Sequence, residues 1–357
     1  MVNALRRLRA KNADDAPETQ AQTLTQNQNQ VQTQTLNQLQ TQTLIRTWRR
    51  AVPALLLSSG LVLSACSAGV DNDDGSEAAS EPGTEPATEP AIDTYVALGD
   101  SYAAMASRAG ADDSGDLAAD FCRRSPDNYP AVLGDLLAAN TVIDRSCQGA
   151  IIDNLTATRD AGGVAVPAQL HALSETDEGA IDRTVDLVTL TIGGNDIGFG
   201  EMVWCAQHAL ETAEPSNCGA YMDRKVEHET GVVEDRLHEI FAEIRSRAPE
   251  AQIIATGYLP LLGAFDDCAE IAAISGPDRT WLQTVIQQLN QAVAQAAQAH
   301  DVQFVLPAEA DKHTVCAEPE QRWVDLSGTA TGSFPYHPTA AGQAAMAQEI
   351  YQRIPRD

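Results

Sequence analysis

The sequence predicts an α/β protein, a three-layer α/β/α sandwich built on a flavodoxin-like five-stranded parallel sheet. Two observations carry this expectation: short apolar runs alternate with longer stretches of helical periodicity, and five such runs occur between Thr94 and Leu306. Alternation of this kind builds a parallel sheet covered on both faces and joined by right-handed crossovers. Five strands suit the doubly wound order 2-1-3-4-5.

The elements follow in order. "TYVAL" (94–98) is the first strand, and a helix is expected from Asp127 to Ala139. "TVIDRS" (141–146) is the second strand, before a helix from Pro167 to Ser174. "VDLVTLTI" (185–192) is the third, an apolar run suited to the middle of a sheet. A helix from Val232 to Ala248, "QIIATG" (252–257), a helix from Thr280 to His300 and "VQFVL" (302–306) continue the alternation. A last helix is expected from Thr339 to Ile354.

The 94–357 domain is preceded by three segments of different composition. Residues 1–45 include a Gln/Thr/Asn tract too poor in large apolar side chains to offset its own ordering entropy, and are expected to be disordered. Residues 46–66 read as an export signal. Arg46, Arg49 and Arg50 precede the apolar stretch Ala51 to Leu63, which is too short to span a bilayer as a helix, since that needs about 20 residues. Its end, "LSAC", resembles the lipobox of bacterial lipoproteins, which implies lipidation of Cys66; cleavage as an ordinary secretion signal is the alternative. Residues 67–93 carry eight acidic residues, no basic one and repeated Glu-Pro, as expected of an extended tether.

From Thr94 onward 16 Lys and Arg face 39 Asp and Glu, a net charge of −23. A surface so acidic repels nucleic acid and anionic lipid, so neither is an expected partner. Membrane association is expected only through the lipid anchor, and the domain is expected to be a monomer. Apart from Cys66 there are six cysteines, with no CxxC spacing and no grouped histidines, which disfavours a metal site. An even set behind an export signal reads as disulfides, and six cysteines allow fifteen pairings.

In a doubly wound sheet ligands bind beyond the carboxyl ends of the strands, where the winding reverses. The residues that follow strands 1, 2 and 3 should therefore converge. They are "GDSY" with Ser101, "CQGA" with Gly149 and "GGND" with Asn195, and "YHP" with His337 comes late in the chain. Ser101 offers a nucleophilic oxygen and its own N–H, Gly149 a second N–H, and Asn195 a side-chain amide. These are the donors an oxyanion hole requires, with His337 as the general base. Each block alone is also ordinary turn chemistry; their joint order after consecutive strands is what points to catalysis.

Together these four blocks resemble the SGNH hydrolase (GDSL-type esterase/lipase) superfamily, over essentially Thr94 to the C-terminus. The resemblance implies a serine esterase or lipase that hydrolyses carboxylic esters through an acyl-enzyme and needs no cofactor. Tyr102 stands where the family name has Leu, a position expected to stay clear of the chemistry. No G-x-S-x-G occurs, which argues against the nucleophile-elbow hydrolases. Neighbouring strands and secreted actinobacterial members of the family imply the bridges Cys122–Cys147, Cys205–Cys218 and Cys268–Cys316. The connection from Gly198 to about Val232, with Trp204, is expected to wall the acyl pocket.

Many family members place an aspartate three residues before the base histidine; here that residue is Phe334. The resemblance then implies a main-chain carbonyl as the group that orients His337, that of Phe334 or of its neighbours Ser333 and Pro335. A distant carboxylate, Asp325 or Asp311, is the rival. Two other readings keep the fold: a carbohydrate O-deacetylase, and a catalytically silent lipid-anchored binding protein. The expected location is extracytoplasmic, either anchored to the outer face of the cell membrane or secreted.

Overall fold

The computed structural model describes residues 92–111, 116–173 and 184–355. The N-terminal extension, the export signal with Cys66 and nearly all of the tether fall outside the described residues. Five parallel strands form the sheet: β1 (Thr94–Gly99), β2 (Thr141–Asp144), β3 (Leu187–Thr191), β4 (Gln252–Thr256) and β5 (Gln303–Val305). Their order is β2-β1-β3-β4-β5, the doubly wound order that the sequence predicts.

Alternate residues of each strand serve opposite layers. Val96, Leu98, Val188 and Leu190 belong to one core cluster, together with Leu237 and Phe241 of one helix and Leu289 and Val293 of another. Tyr95, Ala97, Leu187 and Ile254 belong to the second, with Tyr129, Leu133, Met346 and Ile350. Strands β1 and β3 are buried along their whole length, as central strands of a sheet covered on both faces must be.

Eight α-helices complete the described fold: α1 (Ser101–Ala104), α2 (Leu117–Cys122), α3 (Tyr129–Leu137), α4 (Asp153–Thr156), α5 (Phe199–Thr212), α6 (Cys218–Arg247), α7 (Gly276–Gln298) and α8 (Ala340–Arg353). Side-chain caps start several of them. Asn128 accepts from Ala131 N–H before α3, Ser275 from Asp278 N–H before α7, and Thr339 from Gly342 N–H before α8.

Four elements depart from the sequence reading. The stretch expected as a helix from Pro167 is a 3-10 turn, Gln169–Leu173. The connection after Gly198 is helical: α5 fills its first half, and α6 begins at Cys218 instead of Val232. Phe199, Met202, Val203, Ala206 and Leu210 have helical spacing, but the flanking Gly198, Gly200 and "EPSN" read as loop. Strand β2 stops at Asp144 because its carboxylate turns back to accept from Ser146 N–H and Oγ–H. Two short antiparallel ribbons were not legible, and one of them, Val324–Asp325 with His337–Pro338, holds the histidine.

Candidate active site

The turn that carries Ser101 is set by backbone. Gly99 ends β1 at φ 142°, and a Cβ there would lie 2.3 Å from the Thr191 carbonyl oxygen, so only glycine fits. Asp100 then donates its N–H to the same carbonyl at 2.8 Å, and its side chain caps α1 by accepting from Tyr102 N–H at 2.8 Å. Ser101 follows, buried except for a small face on an open cleft of about 190 Å³.

His337 reaches this serine from the far end of the chain. Its Nε2 lies 2.8 Å from Ser101 Oγ, and its Nδ1 lies 2.6 Å from the Pro335 carbonyl oxygen. A carbonyl only accepts, so Nδ1 carries the proton and Nε2 is free to accept from the serine hydroxyl. The orienting carbonyl is thus that of Pro335, not the first expectation, Phe334, nor Ser333. The reason is local: Tyr336 is held at φ 61°, and this left-handed residue places the carbonyl two positions back beside the imidazole.

Neither rival carboxylate bonds to the ring. Asp325 is buried, and its carboxylate accepts from Ser327 N–H, Gly328 N–H and Thr331 Oγ–H, which orders the 327–331 loop. Its main-chain carbonyl does serve the site by accepting from Tyr336 N–H at 2.7 Å. Asp311 lies exposed on a 3-10 turn.

Tyr102 is not remote from the site. Its hydroxyl donates to the Tyr336 carbonyl at 3.1 Å, and its ring centre is 5.6 Å from that of His337. The hydroxyl that a Leu would lack ties the helix that starts at Ser101 to the histidine loop. Burial against Tyr102 and Phe199 pushes the imidazole down to about 4, with the Pro335 hydrogen bond opposing the shift.

The candidate oxyanion donors border the same cleft. Gly149 stands at φ 64° in a loop pinned by Cys147 N–H to the Gly99 carbonyl and Gln148 N–H to the Cys122 carbonyl. Among the described residues, the Ser101 and Gly149 N–H groups donate to no protein acceptor. Asn195 donates through Nδ2 to the Ala150 carbonyl at 2.9 Å, which fixes the amide plane and leaves its second N–H available. Asp196, which sequence reasoning did not single out, accepts from Ile152 N–H through both carboxylate oxygens and so ties the Asn195 loop to the Gly149 loop.

The cleft wall comes from α5, through Phe199, Gly200 and Val203. Trp204, expected in that role, does not line the cleft; it is 69% exposed and stacks on His208. The disulfides are Cys122–Cys147, Cys205–Cys218 and Cys268–Cys316, the pairing implied by the resemblance. Among the described residues no cluster of three or more His, Cys, Asp or Glu could hold a metal ion.

The pattern of the GDSL-like Lipase/Acylhydrolase family matches residues 97–345. Lipase 2 of Streptomyces coelicolor is 32% identical over 264 residues, covering 71% of this chain and 83% of the lipase. The extracellular lipase of Streptomyces rimosus superposes with a TM-score of 0.56 at 27% identity, over 73% of this chain and 98% of that one. Phospholipase A1 of Streptomyces albidoflavus NA297 superposes with a TM-score of 0.55 at 26% identity, over the same shares. The chain belongs to the GDSL-like lipase/acylhydrolase family and is a carboxylic ester hydrolase.

Proposed function

We propose that this hydrolase is a serine lipase or esterase working through an acyl-enzyme, with Ser101 as nucleophile and His337 as general base. The observation that carries the reading is the 2.8 Å contact between His337 Nε2 and Ser101 Oγ, with Nδ1 committed to Pro335. His337 takes the hydroxyl proton as Ser101 attacks the ester carbonyl. The N–H groups of Ser101 and Gly149 and the Asn195 amide receive the oxyanion. His337 returns the proton to the leaving alcohol, and water repeats the sequence to release the acid.

The acyl side of the substrate is apolar. Phe199 and Val203 line the cleft, and both also border a small apolar cavity with Met202, Leu261, Leu262 and Leu326. A neighbouring cavity continues from Phe199 to Leu282 and Ile286. Each holds only about 20 Å³, so a hydrocarbon chain would lie along their apolar mouths from the cleft and enter only as these side chains move apart. A roomier cavity of about 430 Å³ shares Pro335 and Tyr336 with the cleft, but Arg322, Glu270 and Asp325 make it unsuited to an acyl chain.

Three disulfides and the extracellular relative support an extracytoplasmic location. The 94–357 unit is the hydrolase domain in this reading. Lipidation at Cys66, with residues 67–93 as tether, remains part of the proposal. The test is a p-nitrophenyl ester series from acetate to decanoate, with Ser101→Ala as control. Butyrate or longer esters should be preferred to acetate, and Ser101→Ala should be inactive; an acetate-only profile would contradict the lipid reading.

A further inference from the structure

Tyr258 follows β4 in "TGYLPLL" and is fully buried. Its hydroxyl donates to Asp100 Oδ2 at 2.5 Å and accepts from Gly194 N–H at 2.7 Å. Asp100 immediately precedes Ser101, and Gly194 immediately precedes Asn195. One phenol oxygen therefore joins the turn that carries the nucleophile to the loop that carries the side-chain oxyanion donor.

We infer that Tyr258 is a positioning residue for ester hydrolysis, holding the Ser101 turn and the Asn195 loop at a fixed separation so that both meet the same substrate carbonyl. The inference rests on the roles proposed for Ser101 and Asn195. Three features support it independently. A carboxylate only accepts and a backbone N–H only donates, whereas a phenol does both through one atom. The other Asp100 oxygen is already committed to Tyr102 N–H, so the carboxylate is locked on both sides. Gly194 is required by the ring: a Cβ there would lie 2.8 Å from Tyr258 Cε1.

The tyrosine is itself clamped. Its N–H donates to Asn290 Oδ1 at 2.7 Å, and its carbonyl accepts from Asn290 Nδ2 at 2.9 Å, so α7 sets the height of the phenol. The Tyr102 ring packs at 5.0 Å between centroids. A fully paired buried network of this kind holds its members in one arrangement. Removing the hydroxyl leaves Asp100 Oδ2 and Gly194 N–H without their partner, and the two loops are free to shift relative to each other.

The experiment compares wild type with Tyr258→Phe for kcat and KM on p-nitrophenyl butyrate and for inhibition by phenylboronic acid, which adds to the serine as a tetrahedral mimic. Folded protein is measured in parallel by near-UV circular dichroism. Misplacement of the two loops should lower kcat roughly 10- to 100-fold, leave KM within about twofold, and weaken phenylboronic acid in step with kcat. A merely structural tyrosine would lower the folded fraction and leave kcat per folded molecule unchanged.

Should Tyr258→Phe fail to fold, Asn290→Ala keeps the phenol but frees its backbone, and the same kcat-selective loss is expected at smaller size. A folded Tyr258→Phe with kcat within twofold of wild type, or a folded Asn290→Ala with unchanged kcat where Tyr258→Phe does not fold, would overturn the inference. Ser101→Ala separates the two levels. If it stays active, the proposed site itself is wrong; if it is inactive while Tyr258→Phe works normally, only the positioning role falls.

Discussion

The Nδ1 of His337 lies 2.6 Å from the carbonyl oxygen of Pro335, and among the described residues no carboxylate hydrogen-bonds to the ring. The imidazole is thus oriented by a neutral dipole two residues upstream, in a segment with no acid from residue 326 to residue 348. A dipole fixes tautomer and direction as a carboxylate would, but stabilises imidazolium less.

Asp325→Asn and Asp311→Asn should therefore cost far less than the roughly 10⁴-fold that spoiling a triad aspartate costs. Asp325→Asn keeps one acceptor oxygen for Ser327 N–H and Gly328 N–H, and its amide N–H can donate to Thr331 Oγ, so kcat should fall only modestly. Steady-state kinetics on a p-nitrophenyl ester decides this, and a loss near 10⁴-fold would assign that carboxylate to the histidine.

Asn195→Ala should lower kcat about 10²- to 10³-fold with little change in KM, because the amide binds charge that exists only in the transition state. An equal rise in KM with unchanged kcat would place Asn195 in ground-state binding instead.

The pH profile follows from the desolvated, partly buried imidazole. With His337 pushed down to about 4, kcat/KM should hold level from neutrality to about pH 5 and fall with a midpoint near 4. Stability has its own sign. Between 6.5 and about 4 the unfolded chain binds the proton that the folded imidazole refuses, so acidification through that window removes stability that is whole above 6.5. Asp100 acts oppositely: burial raises it from 3.8 to about 7, so its contribution is present below 3.8 and is lost as pH rises through 7. In His337→Gln the imidazole's opposing slope is gone while that of Asp100 remains. Urea midpoints should then fall more steeply from pH 4 to 7 than in wild type.

Reduction of Cys122–Cys147 should impair catalysis before it unfolds the domain. The bridge lies two residues from Gly149, and Gln148 N–H donates to the Cys122 carbonyl, so the loop holding the proposed second oxyanion donor depends on it. Closing a loop of this length contributes about 3 kcal/mol. A Cys122→Ala/Cys147→Ala variant should keep its far-UV circular dichroism while kcat drops. Unchanged turnover on folded, reduced protein would contradict this.

Phe199 lines both the cleft and the two small apolar cavities beside it, so it stands where a chain would pass between them. Phe199→Ala should raise the decanoate-to-acetate ratio of kcat/KM by about tenfold, the scale set by one or two methylenes of added apolar contact. A falling ratio would mean that the ring binds the chain instead of gating it.

The sheet was legible because its signals are local: apolar runs of strand length, with turn residues after them. Ser101, Gly149 and Asn195 were legible because the strand order brings three strand ends together, and each end carries polar and glycine residues where apolar runs stop. Helix α5 was missed because Gly198 and Gly200 outweighed the helical spacing of Phe199, Met202 and Val203. Pro335 was named only as a neighbour of Phe334, since a left-handed Tyr336 has no sequence signal. Tyr258 was invisible for another reason: "TGYLPLL" contains no motif, and its role exists only where Asp100 and Gly194 meet it in space.

The central claim is that Ser101, activated by His337, forms the acyl-enzyme. Labelling with a fluorophosphonate followed by peptide mass spectrometry tests it directly. The account predicts one adduct, on Ser101, absent in Ser101→Ala and strongly slowed in folded His337→Ala. Ester hydrolysis by a folded protein that takes no label at Ser101, or that takes it on a different serine, would contradict it.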